Sequence, residues 1–136
     1  MHRLARPPPR KMGSVRLDHE ILQQALAQAG ETTPHNAADA NLSNRDLDDV
    51  SLLVSETPML ENLNLAFNCL RRVHPIQKLD RLAKLNLSHN DLLDVERLGV
   101  LRELQVLNLS KNKLTSVGRQ LFLKSLLLCD FIHQIQ

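Results

Sequence analysis

Six histidines, two cysteines and four glycines are the residues from which this 136-residue chain could build chemistry. Zinc-assisted hydrolysis would ask for two histidines one helical turn apart with a glutamate between them, and phosphate binding for a glycine-rich loop ahead of a helix. His2, His19, His35, His74, His89 and His133 contain no such pair, and the glycines give neither spacing. Cys69 and Cys129 form no zinc motif and are too few for a disulfide framework. Neither stands at a helix start or in a basic cluster, so both read as structural. His89, Asn90 and Asp91 are adjacent, but Asn90 belongs to a repeat described below and its neighbours then fall in a loop. No catalytic residue, metal or cofactor is expected, and the chain does not read as an enzyme.

Composition narrows the classes further. Seventeen basic and fifteen acidic residues leave a net charge of +2, too little to argue for nucleic acid. There is no Trp or Tyr, and only Phe67, Phe122 and Phe131 are aromatic, so a base-stacking platform is excluded. The chain has no apolar leader at its start and no apolar run of membrane-spanning length. A soluble protein in the cytoplasm is the expectation, with the cytoskeleton, cilium or nucleus as further locations. Leucine, at 29 residues, is more than one in five, and such usage calls for a search for repeats.

The repeat is plain. Leu60, Leu63, Leu65, Asn68 and Leu70 set a template that recurs at Leu82, Leu85, Leu87, Asn90 and Leu92, and again at Leu104, Leu107, Leu109, Asn112 and Leu114. A weaker copy occupies Ala37, Ala40, Leu42, Arg45 and Leu47, so the copies start 23, 22 and 22 residues apart. Val50, Val73, Val95 and Val117 form a further column, as do Leu53, Ile76 and Leu98, where the fourth copy has Gln120. Leu63 and Leu65 alternate with Asn62, Asn64 and Ala66, the period of two expected of a half-buried strand. Strands of successive copies would stack in parallel about 4.8 Å apart and merge their leucines into one core. The return path, Leu92, Val95, Leu98 and Leu101, steps by three, which suits 3₁₀ turns.

This pattern resembles the leucine-rich repeat family, over about residues 37–125, and in particular its short 22-residue intracellular class. A regulatory subunit of protein phosphatase 1 and a light chain of axonemal dynein typify that class. The resemblance implies an α/β solenoid with parallel strands on the concave side, 3₁₀ or irregular turns on the convex side and a helix over its N-terminal end. It also implies that Asn68, Asn90 and Asn112 form a hydrogen-bonded ladder at the turn. The Arg45 replacement, with Ala37 and Ala40, marks the first copy as a cap-like departure. The aromatic and acidic strand face implied by the phosphatase-regulating members is not present in this sequence.

Function is then sought on the outward strand face, where four columns run. They are Asp39, Asn62, Lys84 and Val106; Asn41, Asn64, Asn86 and Asn108; Ser43, Ala66, Ser88 and Ser110; and Asn44, Phe67, His89 and Lys111. The asparagine column reads either as amides bonding one another or as a partner surface. Phe67 is an aromatic on a face otherwise polar, the type favoured at interface hot spots. The candidate contact residues are Asn62, Asn64, Phe67, Lys84, Asn86, His89, Asn108 and Lys111.

The flanks complete the division. Residues 1–16 carry five basic groups, no acid and three consecutive prolines, and read as a disordered basic tail. The remaining 120 residues hold 12 basic and 15 acidic groups, a net of −3. Met12 offers a second start. Residues 17–36 read as a covering helix from Asp18 to Ala29 with a connector, and residues 37–125 as four repeats. Residues 126–136 would open a fifth copy with Leu126, Cys129 and Phe131 in core slots, which then breaks off; that pattern reads as a truncated array prone to self-association. The expected function is a protein-interaction module, an adaptor or regulatory subunit that binds a protein partner through its strand face. No small-molecule substrate and no membrane association is expected. The alternatives are an assembly piece or short form of a longer repeat protein and, least favoured, nucleic-acid binding through the tail.

Overall fold

A computed structural model describes residues 13–115 and Gly118. The Pro-rich start, Val117 and the fifth-copy residues Leu126, Cys129 and Phe131 lie outside the described residues. In chain order the elements are β1 (Val15–Arg16), α1 (His19–Gln28), β2 (Asp39–Asn41), β3 (Leu47–Asp49), α2 (Leu52–Glu56), β4 (Asn62–Asn64), β5 (Lys84–Asn86) and β6 (Val106–Asn108), with 3₁₀ turns at Pro34–Asn36, Ile76–Lys78 and Glu96–Val100. They make a mixed α/β fold with two parallel sheets. One sheet runs β2, β4, β5, β6; the other pairs β1 with β3.

The register of the larger sheet follows the repeat. Ala40, Leu63, Leu85 and Leu107 are Cα partners in a row, flanked by the rows of Asp39 and Asn41. The leucine row is buried while its flanking rows are half-buried or exposed, as alternation on a strand requires. Leu42, Leu65, Leu87 and Leu109 are fully buried one residue past the strands, and the first three still bond the next copy through their N–H groups. Val50, Val73 and Val95, with Leu53, Ile76 and Leu98, close the same core from the return side. Each fully buried leucine contributes about 1.5–3 kcal/mol of transfer free energy.

Strand starts are joined by a shared device. The N–H groups of Ala83 and Lys84 both donate to the Glu61 carbonyl, at 2.8 and 2.9 Å. Those of Gln105 and Val106 do the same to Ala83, and those of Glu61 and Asn62 to Ala38. At the first strand no earlier copy exists to offer a carbonyl. There the Glu31 carboxylate takes its place, accepting from Ala38 N at 2.6 Å and Asp39 N at 2.8 Å.

Helix α1 forms where the sequence predicts it. Asp18 Oδ1 accepts from Ile21 N at 2.8 Å, Gly30 turns the chain with φ +78, and Leu22, Ala25 and Leu26 are buried in the common core. Two expectations need correction. Val15–Arg16, assigned to the solvated tail, pair in parallel with β3, held by Ser14 Oγ donating to Asp48 at 2.7 Å and an Arg16–Asp49 ion pair at 3.4 Å. The first return path is also not a 3₁₀ turn but helix α2. Its copy is one residue longer than the others, and that residue completes an α-turn in which Thr57 N donates to the Leu53 carbonyl at 2.9 Å.

Candidate functional site

Two sets of asparagines organise the strand face, and they use their amides differently. Asn68, Asn90 and Asn112 are buried at the turn. Asn90 Nδ2 donates to the carbonyls of Leu65, Leu87 and Ser88, at 2.9, 3.1 and 3.2 Å, and its Oδ1 accepts from Leu70 N at 2.9 Å. Asn112 repeats this one copy later through Leu87, Leu109, Ser110 and Leu92. Asn68 donates to Leu42, Leu65 and Ala66 and accepts from Leu47 N and also from Arg45 N. Each amide therefore stitches its own turn to the copy before it. Asn68 also accepts from the Arg45 N–H, whereas Asn90 and Asn112 each accept from one backbone N–H.

The second set, Asn41, Asn64, Asn86 and Asn108, projects outward from the strands. These amides do not bond one another. Each Oδ1 instead accepts the backbone N–H two residues on, at 3.0 Å in every copy. Ser43, Ser88 and Ser110 add their hydroxyls to the same oxygen at 2.7 Å. This turn closure explains a second departure from the sequence reading. Ala66 and Ser88, expected on the exposed face, are buried at 4% and 5% because the chain has begun to turn after Asn64 and Asn86.

Beyond that turn the backbone is left-handed at Asn44, Phe67, His89 and Lys111, with φ between 56 and 59. The site predicted on one face thus divides in two. Asn62, Asn64, Lys84, Asn86 and Asn108, with Asp39, Asn41, Val106 and Ala29 at the end of α1, line a groove of about 400 Å³. Phe67, His89 and Lys111 sit past the strand ends and do not line it. There Phe67 and His89 stack, ring centroids 4.0 Å apart and planes 11° from parallel, and Phe67 stays 54% exposed. Asn62 Nδ2 donates to the Asp39 carboxylate across β2 and β4. Asn41, Asp39 and Val106 were visible in the columns but not selected; Ala29 carried no signal, since it reaches the groove only through the packing of α1.

A second groove, of about 910 Å³, lies at the opposite ends of the strands among Glu61, Asp80, Arg81, Arg102, Glu103 and Gln105. Its charges are of both signs. Among the described residues no group of His, Cys, Asp or Glu could hold a metal ion, and no helix is long and apolar enough to cross a membrane.

The leucine-rich repeat family model matches residues 103–126. That match begins at the copy carrying β6 and supports the leucine-rich repeat family for a chain whose copies share one register. No curated protein matches the chain. Leucine-rich repeats serve generally as protein-interaction modules and are typically non-enzymatic, which makes the outward strand face the surface of interest here.

Proposed function

We propose that this chain is a small leucine-rich repeat solenoid that acts as an adaptor or regulatory subunit, binding a protein partner along its concave strand face. In this reading α1 caps the first copy with Leu22, Ala25 and Leu26, four copies fill residues 37–125, and the helical and 3₁₀ returns form the convex back. The observation that carries the reading is the Phe67–His89 stack. A phenylalanine in left-handed backbone is disfavoured by roughly 1–2 kcal/mol relative to its ordinary conformations. Asn44 shows that the same slot takes a residue better suited to it. A large aromatic kept exposed in that strained position beyond the strand ends fits a contact residue, since aromatics dominate binding hot spots.

Affinity capture from cells tests this. The tagged chain carrying Phe67→Ala with Lys84→Glu should lose its partner while circular dichroism and Tm stay those of the unaltered protein. Deleting residues 1–12 should leave capture intact. Capture that survives the double variant and disappears with the deletion would move the binding surface to the basic tail.

A further inference from the structure

The outward amides have a fixed polarity. A backbone N–H can only donate, so the Asn64, Asn86 and Asn108 atom that meets it at 3.0 Å must be Oδ1, and Nδ2 is the end that faces away. None of these Nδ2 groups has a hydrogen-bond partner among the described residues. They stand in register on β4, β5 and β6, so the groove floor carries a row of donors about 4.8 Å apart, with the Asn86 and Asn108 oxygens each engaged twice and the Asn64 oxygen once. Lys84, two residues before Asn86 on the same face, is exposed and makes no ion pair among the described residues. The one acid of the four columns, Asp39, lies on β2 at the far side of the groove, where Asn62 donates to it. The β5 and β6 part of the floor therefore offers donors and a single positive charge.

We infer that the occupant is an acidic segment of the partner protein, its carboxylates accepting from Asn64, Asn86 and Asn108 Nδ2 with Lys84 as counter-charge. This rests on the strand-face reading above and names the chemistry of the partner. A carboxylate offers only acceptors and loses no donor on entering such a row. Spacing selects its presentation. An extended chain repeats its same-side groups every ~6.6–6.8 Å, out of step with the row. Acidic residues three or four apart on a helix recur every ~4.5–6 Å, within reach of successive amides.

The test is a fluorescence-anisotropy titration of the full chain against a labelled alanine-rich helical peptide with glutamates every third or fourth residue. The same peptide with glutamine at each of those positions is the control. The glutamate peptide should bind, and the glutamine peptide should bind at least about tenfold more weakly, the difference a charged acceptor makes. Asn86→Asp with Asn108→Asp is the sharper variant. Aspartate still accepts the Ser88 and Ser110 N–H groups and so preserves the turn, but turns an acceptor outward. It should weaken the glutamate peptide by a similar factor without changing Tm. Equal binding of the two peptides, indifference to the double aspartate variant, or tighter binding of a single-stranded oligonucleotide than of the glutamate peptide would each overturn the inference. Absent peptide binding, with cellular capture still lost in the Phe67 and Lys84 variant, would overturn the acidic occupant and leave the interaction face standing. Absent peptide binding together with capture that survives that variant would overturn both.

Discussion

Asparagine does two opposite things in this molecule, and backbone geometry decides which. At the turn, Asn90 is buried with both amide ends used, four hydrogen bonds in all, so truncation strands the buried Leu70 N–H and takes one of two donors from each of the Leu65, Leu87 and Ser88 carbonyls. Asn90→Ala should cost about 1–3 kcal/mol in urea unfolding. An unchanged midpoint would mean that the turns hold without the amide bridge. On the strand, Asn86 binds only its own turn, and its loss should matter far less to stability. Phe67 predicts the reverse sign. Phe67→Asn removes an exposed side chain from a left-handed position that asparagine tolerates, so stability should hold or rise by up to about 1 kcal/mol while partner capture falls. A clear drop in stability would show that the stack on His89 is structural. The asparagine columns themselves were legible from spacing. What the sequence concealed was the burial of Ala66 and Ser88, because alternation continues on paper past the residue at which the chain leaves the strand.

Among the elements, the larger sheet was readable because its leucines recur in step with its hydrogen bonds. Strand β1 was not. Two residues beside a cluster of arginines carry no pattern of their own, and their place is set by β3, Asp48 and Asp49 far along the chain. Helix α2 was hidden in a single extra residue, because Leu47, Val50 and Leu53 step by three as their counterparts do in the later copies. Glu31 was equally silent, because its role depends on what is missing before β2. Its carboxylate stands in for the carbonyl that each later strand receives from the preceding copy, and so shields the first strand's donors. Glu31→Ala should cost about 1–2 kcal/mol, moderated by the side chain's partial exposure, and should speed hydrogen exchange at Ala38 and Asp39. Exchange there no faster than in the unaltered chain would show that solvent serves these N–H groups as well as the carboxylate does.

At the scale of the whole molecule, stability is a property of neighbouring copies rather than of any one. Leu87 is fully buried in the layer joining the second and third full copies, and Leu87→Ala should cost about 2–5 kcal/mol, read as a lowered Tm. A loss below about 1 kcal/mol would mean that the copies are held mainly by backbone bonds. The core was legible because it must repeat for copies to stack; the partner was not, because Phe67, Lys84 and His89 occupy slots that stacking leaves free. The central claim is that a partner lies along the strand face. Site-specific photo-crosslinking tests it most directly, with a benzophenone amino acid introduced at Val106 in the groove or at exposed Arg97 on the return side. The Val106 position should yield a covalent adduct with one partner protein and the Arg97 position none. Adducts from Arg97 alone would contradict the claim.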